Sequence, residues 1–393
     1  MSTAKQQHHA TSDRISNLPL NVTQQILECL PLQQAARTSV LLKYWRNKWA
    51  STSKLILDES FAKCICEKKT KPSDKLLAYN KAVTDILLSH VGPIGKFVLY
   101  IPSWIPKKTD FSSWLRFVYD NGVNDITTND DRSLYRNVPT CLFSFVRLTH
   151  LTLLNCNFGS LSPTFRGFPC LISLEIDITY TYYSRGDALT NLISKCPLPE
   201  RLHLSFYISS GNMTIRAPKL LEFILRAQKV IDVSLVATRA IEFDLQVFNF
   251  SDFTSPKMFP KFLTRLQALE LIDIALNYDS NISLVLCLLL SSPNLERLRI
   301  KAANDEAESD GQLSQFDDTY IFQHLKIIHL VGITGLSNEL KLIRFLLACS
   351  PVLEKITIEL STKIGGAEEQ VNFFKELNQY RRASTNVEMI FKT

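Results

Sequence analysis

The chain has 393 residues, of which 46% are hydrophobic and 21% are charged, and its formal net charge is +6 at pH 7. This length predicts two or three domains, and the composition excludes a globally disordered protein. A net charge this small for the length does not by itself indicate a nucleic-acid-binding protein.

The N-terminal residues MSTAKQQHHATSD are polar and lack the apolar run of a secretion signal. The nine cysteines are an odd number and are scattered, and only Cys64 and Cys66 lie close together. No second pair with metal-ligand spacing accompanies them, and most of the nine lie in apolar contexts. We therefore expect a reducing compartment, the cytoplasm or the nucleus, and neither a metal nor a cofactor.

Residues 13–51 form an apolar unit that is predicted to contain three short helical stretches. In the first stretch, VTQQILECL, Asn21 is expected to act as the N-cap. The apolar side chains predicted to lie on one side of this helix are Val22, Ile26, Leu27 and Leu30. A unit of about forty residues has a small core and usually needs a partner to cover its apolar faces. The unit is therefore predicted to dock on another protein.

Basic residues are concentrated between positions 43 and 75, where nine Lys or Arg stand against four Asp or Glu. A solvated face is one interpretation of this segment, and a steering surface for an acidic partner is another. A nucleic-acid site is the weakest alternative, because aromatic residues suited to stacking on bases are sparse there.

From Leu148 onward the pattern L-x-x-L-x-L recurs with substitutions, at intervals of roughly 20 to 30 residues. The copies begin at Leu148, Leu171, Pro199, Leu220, Leu266, Leu295, Leu325 and Leu353. The 46-residue interval between Leu220 and Leu266 predicts a further weak copy, near VIDVSL at Val230. In each copy the last two apolar residues point to one face of a short strand, and stacking such strands in parallel buries a continuous apolar spine.

The segments between these strands have helical character, as in NISLVLCLLLSSP and NELKLIRFLLACSP. In the second segment an apolar helical face is predicted for Leu340, Ile343, Phe345 and Leu347, with Pro351 ending the helix. The stretch ISLVLCLLL is about half the roughly 20 residues of a membrane span and is predicted to be a buried helix.

Alternating strands and helices at this interval predict an α/β fold of the leucine-rich-repeat type. The expected architecture is a solenoid, with a curved parallel sheet and helices on its convex side. An ordinary doubly wound sheet is the alternative, although no glycine-rich phosphate loop follows any predicted strand.

If the strands line a concave face, the side chains that flank the inward-pointing leucines are exposed there. Their charge changes from strand to strand, as a surface that recognises one particular protein requires, although mixed polar strand faces also occur in any soluble solenoid. We predict that a protein substrate binds on this face. The candidate residues are Glu175, Asp177, Arg201, His203, Arg297, Arg299, Lys301 and His329.

The run NDEAESDGQLSQFDD contains six acidic residues and no basic residue. It is predicted to be a solvated loop, with a contact for a basic partner or a regulatory site at Ser309 or Ser314 as alternatives. The seven histidines give no metal spacing of the H-E-x-x-H kind, and the sequence contains neither a G-x-S-x-G elbow nor a phosphate-binding P-loop. We therefore expect no enzymatic activity of the chain itself.

The segments DRISNLP, ILECLP, AARTSVL and KYWRNKW resemble, in order and spacing, the successive parts of an F-box. The segment LKIIHLVGITGLSNELKLIRFLLACSPVLEKITIEL, followed by FFKELNQYRRASTNVEMIF, resembles the FBD domain that follows leucine-rich repeats in many plant F-box proteins. Nearly the whole chain is therefore similar to the plant F-box/FBD/LRR-repeat family. We expect a disordered tail over 1–11, a three-helix F-box over 12–55, leucine-rich repeats with an irregular start over 56–320, and an FBD region continuing the solenoid over 321–393.

The resemblance implies that the chain is an adaptor without an active site. An F-box docks on a Skp-type adaptor, which joins a cullin scaffold and a RING subunit, so the chain is expected to be the substrate-recognition subunit of an SCF (Skp–cullin–F-box) ubiquitin ligase. The repeats would hold a protein substrate for ubiquitination. By position, the residues implied to form or support the adaptor-docking face are Leu18, Pro19, Ile26, Leu27, Leu30, Pro31, Val40, Leu41 and Trp45.

For Ile26 and Trp45, a place in the core of the unit itself is the alternative, because so small a helical unit needs some core of its own. Three residues depart from the family pattern: Leu20 stands where an acidic residue is usual, Leu42 where serine or cysteine is common, and Tyr44 where a polar or basic residue is common. These departures are expected to weaken helix capping and to add exposed apolar surface. The alternative function is a leucine-rich-repeat interaction scaffold that does not assemble into a ligase.

Overall fold

The computed structural model places helices and parallel strands in two compact units, Met1–Thr128 and Asn129–Thr393. The predicted α/β class and the leucine-rich-repeat architecture are confirmed. The residues that the structure describes are 18–40, 45, 47–106, 108–131, 137–156, 161, 165–178, 186–206, 213–215, 219–227, 233–235, 263–303, 320–362 and 367–392. The acidic run with Ser309 and Ser314 lies outside them, as do Leu41, Leu42 and Tyr44.

The first unit begins with helices and continues with short strands. Its α-helices are α1 (Leu20–Glu28), α2 (Leu32–Arg37), α3 (Glu59–Cys66), α4 (Pro72–Ser89) and α5 (Ser112–Asp120). Its strands, in their order in the sheet, are β1 (Lys54–Leu57), β2 (Lys96–Ile101) and β3 (Asp125–Asp130), the last of which runs across the boundary between the units. β1 and β2 pair in parallel.

The core of the first unit is aromatic. Tyr79 is fully buried on α4, and its ring centroid lies 6.1 Å from that of Phe61, 5.9 Å from that of Trp104 and 6.3 Å from that of Trp114. Its hydroxyl donates a hydrogen bond to the carbonyl oxygen of Tyr100, and burial raises the pKa of the phenol. Because buried hydroxyl groups need a partner, this bond aligns α4 with β2.

The second unit contains a parallel sheet of nine described strands. In their order in the sheet these are β4 (His150–Leu154), β5 (Ser173–Ile178), β6 (Arg201–Phe206), β8 (Glu222–Ala227), β10 (Ala268–Ile274), β11 (Arg297–Ala302), β12 (Ile327–Ile333), β13 (Lys355–Leu360) and β14 (Glu388–Lys392). A strand begins at the third residue of each of the eight predicted copies of the repeat. The α-helices of the unit are α6 (Gly186–Ser194), α7 (Asp279–Leu290), α8 (Ser337–Cys349) and α9 (Ala367–Gln379).

The predicted weak copy near Val230 is wrong as a member of this sheet. The short strand found there, β9 (Val233–Leu235), pairs with β7 (Met213–Ile215) in a separate two-stranded sheet. β8 pairs directly with β10, with Phe223 opposite Leu269. Since the hydrogen-bonding edges of β8 and β10 satisfy each other, no strand separates them.

Two rows of apolar side chains run through the nine-stranded sheet in register. One row is formed by the fourth residue of each repeat, and all of its members are at most 1% exposed. They are Leu151, Leu174, Leu202, Phe223, Leu269, Leu298, Ile328 and Ile356. Where each strand from β5 to β13 of this sheet begins, two successive N–H groups donate to one carbonyl of the preceding repeat, as Glu296 and Arg297 do to Gln267. Each repeat therefore completes both the core and the hydrogen bonding of its neighbour.

The predicted helices are confirmed. α7 contains the stretch ISLVLCLLL and is buried along nearly all of its length. α8 ends at Cys349, just before Ser350 and Pro351, and it buries the predicted Ile343. At its start, the carboxylate of Glu339 accepts hydrogen bonds from the Thr334 N–H at 2.9 Å and the Leu336 N–H at 3.1 Å.

Glu339 is 3% exposed, and burial raises the pKa of its carboxyl, opposed by the hydrogen bonds from Thr334 and Leu336. The folded protein therefore holds this proton more tightly than the unfolded chain does. The protonated Glu339 carboxyl contributes fully to the free energy of unfolding below the ordinary glutamate pKa. This contribution is lost as pH rises through the raised pKa. As pH rises above the ordinary glutamate pKa, we expect the free energy of unfolding of Glu339→Gln to fall less than that of the wild type, in urea titrations.

Glu354→Gln is the matched control, because Glu354 is exposed on the surface of the same unit. Its pH dependence is expected to follow that of the wild type. Parallel stability profiles for Glu339→Gln and the wild type would contradict the prediction.

Candidate protein-interaction sites

The N-terminal helices have a small core of their own. Leu27, Ala35 and Trp45 are 1%, 1% and 5% exposed and pack together. Leu18 and Leu30 are partly buried against them. Trp45 and Leu27 therefore belong to the core of the unit, whereas the sequence left both core and docking positions open for Trp45.

Other apolar side chains of the same N-terminal unit face outward, on α1 and on the 3-10 turn Thr38–Val40. Leu20 is 49% exposed, Ile26 is 39% exposed and Val40 is 87% exposed. Successive residues of a helix point about 100° apart, so Ile26 is turned away from the core that Leu27 enters. Pro19 and Pro31 are exposed as well. Of the nine residues proposed for adaptor docking, Pro19, Ile26, Pro31 and Val40 are therefore accessible to a partner.

The start of α1 differs from the prediction that Asn21 is its N-cap. The helix begins at Leu20, Pro19 occupies the N-cap position without a side-chain hydrogen bond, and Asn21 lies inside the first turn. Proline has a fixed φ close to the helical value, so the Leu-Pro pair can begin the helix one residue earlier than the polar side chain suggested. This start leaves Leu20 exposed on the first turn.

The second candidate site is the open strand face, defined as the side chains of β4–β14 that alternate with the buried rows. On β5, Glu175 and Asp177 are half-buried, and Glu175 accepts a hydrogen bond of 3.2 Å from the Thr152 hydroxyl. On β6, the Arg201 guanidinium lies 3.1 Å from His150 Nε2. His203 Nε2 lies 3.9 Å from the carboxylate of Glu222.

The face continues over β10 and β11 with ion pairs between strands. Arg299 Nη1 lies 2.7 Å from Glu270 Oε1, and Lys301 Nζ lies 3.9 Å from Asp273 Oδ1. Asp273 has φ +58° and also lies 3.6 Å from Arg226 Nε. Two cations therefore share the carboxylate of Asp273.

At the C-terminal strands, Glu359 joins two basic groups. His329 Nε2 lies 3.0 Å from Glu359 Oε1, and Lys392 Nζ lies 2.8 Å from the same oxygen. The Lys392 ammonium and then the His329 ring lower the pKa of the Glu359 carboxyl. Of the basic members of these pairs, the sequence prediction named Arg299, Lys301 and His329 and missed Arg226 and Lys392. It also missed Glu270 and Glu359, although both occupy the alternate strand positions at which exposed side chains were expected.

Two thiols of the chain, those of Cys196 and Cys287, are poor nucleophiles because of their surroundings. All nine cysteines are free, and burial raises the pKa of Cys196 to about 11 and that of Cys287 to about 11. A raised pKa leaves the thiol protonated and poorly nucleophilic at neutral pH. Within the described ranges no three His, Cys, Asp or Glu side chains are grouped so that they could hold a metal ion.

Comparison with known proteins agrees with this geometry. The family profile described as "At1g61320/AtMIF1, LRR domain" matches residues 86–390. The chain belongs to this leucine-rich-repeat family. Its relatives in Arabidopsis thaliana include F-box/FBD/LRR-repeat protein At1g13570, which is 29% identical over 96% of this chain and 98% of its own length. F-box/LRR-repeat protein At4g14103 is 32% identical over 49% of each chain, and F-box/FBD/LRR-repeat protein At1g78750 is 24% identical over 96% of each.

The predicted resemblance to the plant F-box/FBD/LRR-repeat family is thus confirmed. The names of these relatives describe an F-box, an FBD region and leucine-rich repeats, and none of them names an enzymatic activity. In the part of this family member that the structure describes, no helix is long and apolar enough to cross a membrane.

Proposed function

We propose that this chain is a non-catalytic substrate-recognition subunit of an SCF ubiquitin ligase. Its N-terminal helical unit docks on a Skp-type adaptor and through it joins a cullin and a RING subunit. The leucine-rich repeats hold a protein substrate on the open strand face. Ubiquitination follows from proximity, because binding on the repeats raises the effective concentration of substrate lysines near the ubiquitin donor.

The observation that carries this proposal is the division of apolar residues in the N-terminal helices. Leu27, Ala35 and Trp45 already form the core of the unit, yet Ile26 and Val40 remain exposed. Large apolar side chains left exposed on a unit with so small a core favour a protein-interaction surface there. They also agree with the F-box named in the relatives of the chain.

The test is capture of a purified Skp-type adaptor by the full chain and by the double variant Ile26→Asp/Val40→Asp. The charges are expected to weaken adaptor binding at least tenfold, because each would have to be desolvated in an apolar interface. The matched control is Leu77→Asp/Leu88→Asp, which places the same charges on α4, where Leu77 is 72% and Leu88 is 74% exposed. The control is expected to bind like the wild type.

Equal adaptor capture by the wild type and by Ile26→Asp/Val40→Asp would show that these residues do not form the docking face. If the wild-type chain captured no adaptor, the ligase proposal would fail. The chain would then be an interaction scaffold that uses its repeats without joining a ligase.

A further inference from the structure

On the open strand face between β8 and β14, most charged side chains lie close to a side chain of opposite charge. Its acidic side chains each lie within 4.0 Å of a basic side chain of a neighbouring strand: Glu270, Asp273, Glu359 and Glu388. Lys326 is likewise 3.5 Å from Glu296. These pairs already neutralise most of the cations on the face.

Arg297 is the exception on β11. It is exposed, and no hydrogen bond or ion pair of its guanidinium is found within the part of the chain that the structure describes. Its neighbours in register are Ala268 on β10 and Ile327 on β12. Neither side chain can accept a hydrogen bond, and Ile327 is 40% exposed. A guanidinium with no partner among the described residues therefore lies beside an exposed aliphatic side chain on the strand face.

Two further nitrogen atoms on the same face are buried and have no hydrogen-bond partner among the described residues. They are His203 Nε2 on β6 and Arg226 Nε on β8. Each lies beyond hydrogen-bond distance from its nearest carboxylate, at 3.9 Å from Glu222 and 3.6 Å from Asp273. A buried polar nitrogen without a partner is costly, so this side of the face also favours a ligand that brings oxygen acceptors.

We infer that the substrate presents an acidic segment to this face, with one Asp or Glu carboxylate on Arg297 and an aliphatic side chain on Ile327. This inference rests on the proposed function, since it names the chemistry of the substrate that the repeats hold. Arginine at the centre of an interface, next to apolar surface, is a typical position for a residue that contributes much of the binding energy. A bidentate carboxylate matches the donor geometry of the guanidinium.

The charge of the face favours a carboxylate over a doubly charged phosphoryl group. Glu270 already engages Arg299, two positions along β11 from Arg297, and Asp273 already engages Lys301. Among the residues that the structure describes, Arg297 is the cation of β11 that has no acidic side chain within 4.0 Å. A single negative charge complements it, whereas a dianion would also meet the carboxylates of Glu270 and Asp273.

The experiment is positional scanning with fluorescein-labelled 12-residue peptides on the full chain. Peptides with an Asp or Glu beside a Leu, Ile or Val are expected to bind best. Arg297→Glu is expected to weaken them at least tenfold and to select Lys or Arg at the same peptide position. The control Arg344→Glu makes the same charge change on an exposed residue of α8 and is expected to stay within twofold of the wild type.

The inference would be overturned if the wild type selected no peptide, if it selected non-acidic peptides, or if Arg297→Glu bound the acidic peptides like the wild type. Tighter binding of a single-stranded 12-nucleotide DNA than of every peptide would overturn it as well. Adaptor capture is measured on the same variants and is expected to be unchanged by Arg297→Glu. Failure of the ligase proposal, seen as loss of adaptor capture by the wild type, is thereby distinguished from failure of the substrate chemistry.

Discussion

Replacement of Gly167 by alanine is expected to lower the free energy of unfolding of the second unit by about 3 kcal/mol or more. A Cβ atom at this position would lie 1.9 Å from the carbonyl oxygen of Lys195, and φ at Gly167 is +93°. The obstacle is backbone, so a side-chain rotation cannot relieve it. Urea denaturation followed by circular dichroism measures the loss.

Contacts of Lys195 and of two phenylalanines hold the backbone of Gly167 close to the Lys195 carbonyl. Lys195 Nζ donates a hydrogen bond of 2.7 Å to the carbonyl of Phe165 and lies 5.4 Å from the centroid of the Phe165 ring. Phe165 and Phe168 are buried, with their ring centroids 5.3 Å apart. The segment around Gly167 therefore cannot move away from Lys195 without opening this aromatic cluster.

Gly335→Ala is the control within the same unit. Its φ of +81° imposes a similar backbone strain, but the added methyl group would meet the side chain of Phe373 at 3.3 Å, and a side chain can shift. We expect a smaller loss, about 1 to 2 kcal/mol. Equal losses for the two variants would show that backbone strain, and not the approach of Lys195, accounts for the effect at Gly167.

The second large effect is expected at Trp45. Trp45→Ala should lower the free energy of unfolding of the first unit by about 3 to 5 kcal/mol, because it removes the largest side chain of the core formed with Leu27 and Ala35. Among the residues that the structure describes, its buried indole nitrogen has no hydrogen-bond partner, so Trp45→Phe keeps an aromatic ring in the core and removes that donor. We expect Trp45→Phe to cost less than about 1.5 kcal/mol.

Val40→Ala is the surface comparison, because Val40 is 87% exposed and its truncation should change stability by less than about 0.5 kcal/mol. Thermal unfolding of the full chain, followed by circular dichroism, ranks the three variants. A Trp45→Ala protein as stable as the wild type would place Trp45 outside the core. Adaptor capture can then be compared between Val40→Ala and Trp45→Phe, since both are expected to fold.

The repeat architecture could be predicted because its cause is local and periodic. Each strand needs two apolar residues spaced by one, as Leu298 and Ile300 show, and the pattern recurs wherever such a strand is stacked. The leucine pattern that begins at Leu148 nevertheless does not include the earlier strands β2 and β3. There Ile94 and Val123 take the first position of the same pattern. Two N–H groups at the start of each strand again share one carbonyl, as those of Asn124 and Asp125 share the carbonyl of Gly95.

The sequence by itself determined which residues are apolar, their spacing, and hence the parallel stack of strands and the small helical unit in front of it. Only the tertiary structure decided which apolar residues of that unit are core: adjacent Ile26 and Leu27 are equally hydrophobic, and the packing of Trp45 and Ala35 buries only Leu27. The tertiary structure also decided which charges are free. Arg297 and Arg299 occupy equivalent alternate positions, but the register of β10 places Glu270 beside Arg299 and Ala268 beside Arg297. Register is a property of paired strands, which residues distant in sequence create together.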